Sequence, residues 1–332
     1  MDLPVVFYGT GGSVPTARRA TACVLIRAGG KRVLVDCGEG AQRQMMRSTG
    51  LVQVDEILIT HLHADHYLGL PGLLKTYDLM ERQAPLRIAG PPGLRGLFDG
   101  LRRVFGKIRY EVELIELGAG DALEHGDEGF EMHAFEVEHR MPANGYAFVE
   151  SERPGRFDAD RARELGVGDA RDFGRLQRGE AVTGDSGEVR PEQVMGEARQ
   201  GRKIVITGDS APSEMTRVAA HAAQLLVHDG TFSDEDLARA AETGHSTVRQ
   251  AAELAAEAEV RMLALVHISS RYHVPVVLEE ATAAFPNSHA VRDFDVVEIP
   301  FPERGEPELI EGGARHRPED DAVTEPEVVE TD

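Results

Sequence analysis

The chain is predicted to fold as a mixed α/β (α+β) protein in which two sheets lie between outer layers of helix. Apolar runs of strand length alternate with segments of helical periodicity, and several of those runs end on a histidine or an aspartate. With 332 residues, 41% of them hydrophobic, there is apolar material for one large core or two modest ones.

Taken in order, residues 5–7, 21–26 and 32–35 read as strands and 42–49 as the first helix. Residues 57–60 form a further apolar strand, followed by helices over 70–82 and 94–105, the second with Leu94, Leu97, Leu101 and Phe105 near helical spacing. Phe135 and Val137 alternate toward His139 on one face of an extended stretch, the run 203–207 ends at Gly208-Asp209, and the run 262–266 ends at His267. Helices follow at 212–223, 246–258 and 275–285, with Ser246 as an N-cap. Residues 151–200, rich in Arg, Asp, Glu and Gly, interrupt the alternation as an insertion. From about Phe301 the chain turns Pro-, Glu-, Asp- and Gly-rich, so 301–332 is expected to be a disordered acidic tail.

The chemistry concentrates after the strand at 57–60, where His61, His63, Asp65 and His66 fall within six positions. A tight turn lets His61 and His63 converge on one ion, while Asp65 and His66 at the start of the next helix serve a second. Two divalent ions ~3.5–4 Å apart suit hydrolysis, because together they acidify water and neutralise charge on the reacting group. A surface histidine cluster is the bland alternative. Against it, three other strands each finish at a plausible ligand, His139, Asp209 or His267; any one alone is more often an interior residue, but loops at one edge of a sheet are where sites are built. Cys23 and Cys37 lie in apolar strands and read as buried free thiols, so a metal here is held by nitrogen and oxygen. The loop Gly9-Thr10-Gly11-Gly12 is not a dinucleotide site, since that fingerprint needs a helix at once and Pro15 and a strand intervene. No stretch approaches the ~20 apolar residues of a membrane span and no signal core opens the chain, so a cytoplasmic location is expected.

The HxHxDH cluster with a later His, Asp and His resembles the metallo-β-lactamase superfamily. The segments Phe7-Tyr8-Gly9-Thr10-Gly11-Gly12, Val35-Asp36-Cys37-Gly38-Glu39-Gly40, THLHADHYLGLPGLL over 60–74, His228-Asp229-Gly230-Thr231-Phe232, Gly244-His245-Ser246-Thr247 and His267-Ile268-Ser269-Ser270-Arg271-Tyr272 resemble, more narrowly, the short form of the ribonuclease Z family. The resemblance implies an αββα sandwich over 1–300 and two zinc ions, one on His61, His63 and His139, the other on Asp65, His66 and His267, with Asp209 bridging. It implies that Asp65 also accepts a proton, and that His245 and Asp229 match a His and Glu pair assisting the leaving oxygen, with Asp229 one methylene shorter than the family's Glu. It implies an endoribonuclease that removes the 3′ trailer of precursor tRNA after the discriminator base, leaving a 3′ hydroxyl, and that works as a homodimer. It places the glycine loop near the metals. Asp36 itself reads as structural, and Arg271 and the Arg18-Arg19 pair as either substrate contacts or surface salt bridges. The insertion 151–200 becomes an exosite arm gripping tRNA. Pro154-Gly155, Leu165-Gly166 and the run 176–182 follow the arm's pattern, Asp169-Ala170 stands where a Gly-Pro pair is usual, and Arg153, Arg156, Arg161, Arg163, Arg171, Arg175 and Arg178 are the candidate phosphate contacts. The rival readings are a hydrolase of a small phosphodiester, lactone or thioester on the same fold, and an inactive RNA-binding subunit.

Thirty-six basic residues against 57 acidic ones give a formal charge of −21, and only four of the basic residues are lysines. For a protein handling RNA this is unusual, because phosphate contacts normally supply most of the non-specific affinity. One resolution is a salt-rich cytosol, in which repulsion from RNA is screened because the Debye length falls to ~3 Å at 1 M. RNA cleavage is therefore expected to persist at molar KCl; an optimum at low salt with collapse at molar KCl would contradict this.

Overall fold

The computed structural model describes residues 3–125 and 128–314. Contacts divide the chain into a main unit and an inserted unit spanning Glu150–Arg202.

In the main unit, one sheet is built from β1 (Leu3–Gly9), β2 (Cys23–Ala28), β3 (Lys31–Val35), β4 (Glu56–Leu58), β5 (Leu86–Gly90) and β6 (Val112–Glu116). The other contains β7 (Ala122–His125), β8 (Phe130–Glu136), β9 (Asn144–Glu150), β12 (Lys203–Ile206), β13 (Leu225–Asp229), β14 (Met262–Val266) and β15 (Ser288–Ala290). The chain then returns to the first sheet with β16 (Val296–Ile299) and β17 (Glu308–Ile310), extending it beyond β1. Strands β3 to β6 pair in parallel, as do β12 to β15, so that the loops following their carboxyl ends gather at one edge of each sheet.

Side-chain alternation explains the layers. Val5, Phe7, Val24, Ile26, Val33 and Val35 of the first sheet share one core with Phe130, Met132, Phe148, Ile204, Ile206 and Val227 of the second. The intervening positions face outward to helices. Val6, Leu25, Leu34, Ile57 and Ile88 meet α1 (Ala41–Met46), α3 (Leu70–Leu79) and α4 (Leu94–Phe105). Val205, Leu226, Leu263 and Leu265 meet α7 (Glu214–Ala220), α9 (Val248–Glu257) and α10 (Val274–Ala284). The remaining helices of this unit are the single turn α2 (Ala64–Tyr67) and α8 (Leu237–Thr243). This is the expected four-layer αββα sandwich. Among the described residues, no helix is long and apolar enough to cross a membrane.

Several boundaries differ from expectation for local reasons. The helix read as 246–258 is capped by Thr247 rather than Ser246: Thr247 Oγ1 accepts from Gln250 N while Gln250 returns a bond to Thr247 N, and the Ser246 hydroxyl instead donates to Ser210 O at 2.6 Å. The helix read as 70–82 stops at Leu79, with Glu81 in left-handed backbone at φ 57°. Strand β8 ends at Glu136, so His139 lies just beyond a strand end. The expected disordered tail over 301–332 is corrected at its start. Glu308–Ile310 pairs with β16, and the carbonyl of buried Ala314 accepts from Ser48 Oγ at 2.5 Å. Residues 315–332, where the rest of that tail was expected, lie outside the described residues.

The inserted unit is not a featureless loop. It holds α5 (Ala159–Glu164), α6 (Ala170–Gln177) and a hairpin of β10 (Val182–Gly184) and β11 (Gly187–Val189), around a small core of Ala162, Val167, Leu176, Val182, Val189 and Val194. Asp158 and Asp169 cap the two helices through Arg161 N and Arg171 N, both at 2.8 Å. Asp169, in the place of the usual Gly-Pro pair, thus has a local structural task.

Candidate metal centre

The loops after β4, β8, β12 and β14 bring seven side chains from four segments together. Donor atoms of His61, His63, His139 and Asp209 lie within 4.8 Å of one another, and so do those of Asp65, His66, Asp209 and His267. Asp209 belongs to both groups. Its Oδ1 is 3.4 Å from His66 Nε2, and its Oδ2 is 3.3 Å from His267 Nε2 and 3.7 Å from His61 Nε2. Donors ~2.0–2.1 Å from a tetrahedral ion would stand ~3.3–3.4 Å apart, so these spacings fit one cation in each group. Asp65 Oδ2 and His66 Nε2 are buried without a hydrogen-bond partner among the described residues, as groups reserved for an ion are.

Backbone geometry allows the convergence. Gly208 adopts φ 65°, and a Cβ there would stand 2.7 Å from Thr60 Cβ, so only glycine lets the end of β12 approach the end of β4. A Cβ on Gly12 would lie 2.6 Å from His267 Nδ1, which places the glycine loop against the centre. His267 itself holds φ 61°, a conformation costing of order 1–3 kcal/mol that persists only where the surroundings impose it.

Hydrogen bonds set which ring nitrogen each histidine presents. His66 Nδ1 donates to Asp36 Oδ2 at 2.7 Å, leaving Nε2 as a lone pair aimed into the cluster. His139 Nδ1 donates to Gly244 O at 2.8 Å, with the same result. Thr60 Oγ1 gives its proton to Asp36 and stands 3.1 Å from His61 Nδ1, which must then be the donor. Asp36, expected to be structural, therefore orients two histidines besides receiving Thr60 N at 2.8 Å. Burial pushes His61 well below the usual histidine range, toward the neutral ligating form. Burial alone would raise Asp65 and Asp209, but His66 and His267, which the carboxylates draw up toward the charged form when no cation lies between them, outweigh it and hold both carboxyls well down, as carboxylates.

Beside this cluster, His245 stacks on His267 with ring centroids 5.2 Å apart. Its Nδ1 donates to Asp229 Oδ2 at 2.6 Å, so the shorter carboxylate does reach. Burial disfavours a charged His245, but the Asp229 carboxylate outweighs that and lifts it to about 9. Of the possible substrate contacts, Arg19 points inward, donating to Thr10 Oγ1 and Val291 O at 2.7 Å each, which corrects that expectation for Arg19. Arg271 lies 3.5 Å from Asp236. Two roles escaped the sequence. Asp293 anchors the glycine loop through Thr10 N, Thr10 Oγ1 and Ala20 N, and Thr231 touches both Asp229 and His267. Asp293 had no local signal, since its partners lie up to 283 positions away, and of the two partners of Thr231 only Asp229 is near in the chain, His267 standing 36 positions on.

A metallo-beta-lactamase superfamily model matches residues 16–156, and a beta-lactamase superfamily domain model matches 144–268. A curated ribonuclease Z of Methanosarcina acetivorans is 45% identical over 304 residues, covering 90% of this chain and 99% of the relative. The chain belongs to the ribonuclease Z family. The ribonuclease Z of Haloferax volcanii is also 45% identical, over 91% of this chain and 96% of its own length. Among solved structures, human tRNase Z, short form, superposes with a TM-score of 0.64 at 28% identity, over 90% of this chain and 99% of that one. The chain therefore carries the metallo-β-lactamase fold, with histidines and aspartates grouped as candidate metal ligands.

Proposed function

We propose that the protein is a zinc-dependent endoribonuclease that removes the 3′ trailer of precursor tRNA, cutting after the discriminator base to leave a 3′ hydroxyl. The observation that carries this reading is the meeting of two donor groups, joined at Asp209, with an Asp229–His245 pair alongside. Homologues named ribonuclease Z at 45% identity support the choice of RNA over a lactone or thioester. His61, His63, His139 and Asp209 would hold one zinc; Asp65, His66, His267 and Asp209 the other. When bound, the two ions supply acidified water and neutralise charge developing on the phosphate oxygens. The protein's own groups do the rest. Asp65 orients the attacking water and accepts its proton, and His245, fixed by Asp229, gives a proton to the departing 3′ oxygen. The tRNA substrate supports a cytoplasmic location, and the family resemblance supports a homodimer. Incubation with an unprocessed tRNA transcript should yield a mature 3′ end at the discriminator base; activity confined to small esters would remove the reading.

The inserted unit is proposed as the tRNA-gripping arm. It carries ten arginines against twelve acidic residues, so it is close to neutral in a chain of formal charge −21. Arg161, Arg163, Arg175 and Arg178 pair with acids of the unit itself at 2.6 to 3.5 Å but stay 41 to 64% exposed, so these pairs are weak and can be exchanged for phosphate. Replacing residues 151–200 with a short linker is expected to weaken precursor tRNA cleavage at least ~10-fold, mainly through KM. Hydrolysis of a small phosphodiester should be retained. Equal loss of both would assign the insertion to folding instead.

A further inference from the structure

Thr231 lies two residues beyond the end of β13 and is 8% exposed. Its backbone N donates to Asp229 Oδ1 at 2.8 Å, and its Oγ1 stands 2.5 Å from the same oxygen. A hydroxyl that close to a carboxylate oxygen places its one proton between them, because a carboxylate can only accept. The same Oγ1 is 2.7 Å from His267 Nδ1. With its proton already committed, Thr231 must accept there, and His267 Nδ1 must donate. His245 Nδ1 is 3.3 Å from Thr231 Oγ1 but 2.6 Å from Asp229 Oδ2, so its proton goes to the carboxylate. A continuous chain of bonds thus runs from His267 through Thr231 and Asp229 to His245. Thr60, Asp36 and His61 make the same arrangement on the other sheet, with Thr60 Oγ1 2.9 Å from Asp36 Oδ2 and 3.1 Å from His61 Nδ1.

We propose that Thr231 is a positioning residue that locks His267 with its proton on Nδ1, so that Nε2 faces Asp65 and Asp209, and that ties this ligand to the His245 acid pair. The inference rests on the metal reading above and deepens it. One hydroxyl serves both halves of the site: it presents a ligand on one side and on the other holds Oδ1 of the carboxylate whose Oδ2 takes the His245 proton. A second hydrogen-bonding partner of a metal-bound histidine typically changes affinity or activity ~10–100-fold.

The test compares Thr231→Val, which keeps the shape and removes the hydroxyl, with Thr231→Ser, which keeps the hydroxyl. Zinc is titrated against a chelator with no substrate present, and kcat is measured on a precursor tRNA transcript. Thr231→Val is expected to weaken one of the two zinc equivalents ~10–100-fold and to lower kcat by a similar factor. Thr231→Ser should stay within about threefold of the parent in both. A valine variant that loads zinc and turns over like the parent overturns the proposal, as does a serine variant as impaired as valine, which marks a packing role. A parent that holds no zinc sinks the metal reading and this inference together, whereas normal loading by both parent and valine variant sinks this inference alone.

Discussion

Asp209→Ala is expected to strip metal from both donor groups at once. Its carboxylate is buried, and its two oxygens face His61, His66 and His267 at 3.3 to 3.7 Å, so no other side chain can replace it in either group. Losing a carboxylate that would touch the ion directly should cost more than losing a partner that only hydrogen-bonds a ligand, which is already ~10–100-fold in metal affinity. On the proposed two-ion reading, loss of activity should match or exceed this, because both groups would serve the same reaction. His63→Ala provides the contrast. His63 is solvent-exposed and belongs to one group only, so this variant should give up one metal equivalent and keep the other. Metal analysis per chain after dialysis distinguishes them. Two tightly held equivalents in Asp209→Ala would end the shared-ligand reading.

The same comparison shows why the site was so legible in the sequence. His61, His63, Asp65 and His66 are near neighbours in the chain, and His139, Asp209 and His267 each follow an apolar run, so ligand type and strand ends pointed to them directly. Strands β1 to β4, β12 and β14 were legible for the related reason that buried strands read as unbroken apolar runs, whereas β13, just as apolar, was passed over between a helix and a motif. Strands β6 and β7 were not, because exposed glutamates such as Glu113, Glu116 and Glu124 interrupt them at the sheet edges. The tertiary supports were the least visible. Thr231 lay within a quoted motif without a role, and Asp293 in no motif at all, since what defines each is a partner brought near only by folding. Strand β17 was hidden by composition: Glu308, Leu309 and Ile310 sit in a Pro- and Glu-rich context, yet pairing with β16 satisfies their backbone.

His245→Ala is expected to lower kcat on precursor tRNA by ~10²–10⁴-fold with metal content unchanged, the range associated with one general acid. His245 stacks on His267, meets His139 edge-on and reaches His267 otherwise only through Asp229 and Thr231, and it belongs to neither donor group that shares Asp209, so its loss leaves those donors in place. With Nδ1 committed to Asp229, only its Nε2 edge is available to donate to a leaving oxygen. A ribose 3′ oxygen needs that proton, whereas a nitrophenolate departs without it, so an aryl phosphodiester should lose far less rate than RNA. Equal losses on both substrates would make His245 a structural residue. Lengthening Asp229 to the family's glutamate should not restore or improve turnover here. Asp229 is fully buried and already bonded to Ser210 N, Thr231 and His245, and an added methylene must displace at least one of these partners. Asp229→Glu is accordingly expected to cost ~1–3 kcal/mol of stability, read as a lowered Tm, together with a fall in kcat. A glutamate variant as stable and as fast as the parent would mean that the short carboxylate and the Thr231 hydroxyl are not matched to one another.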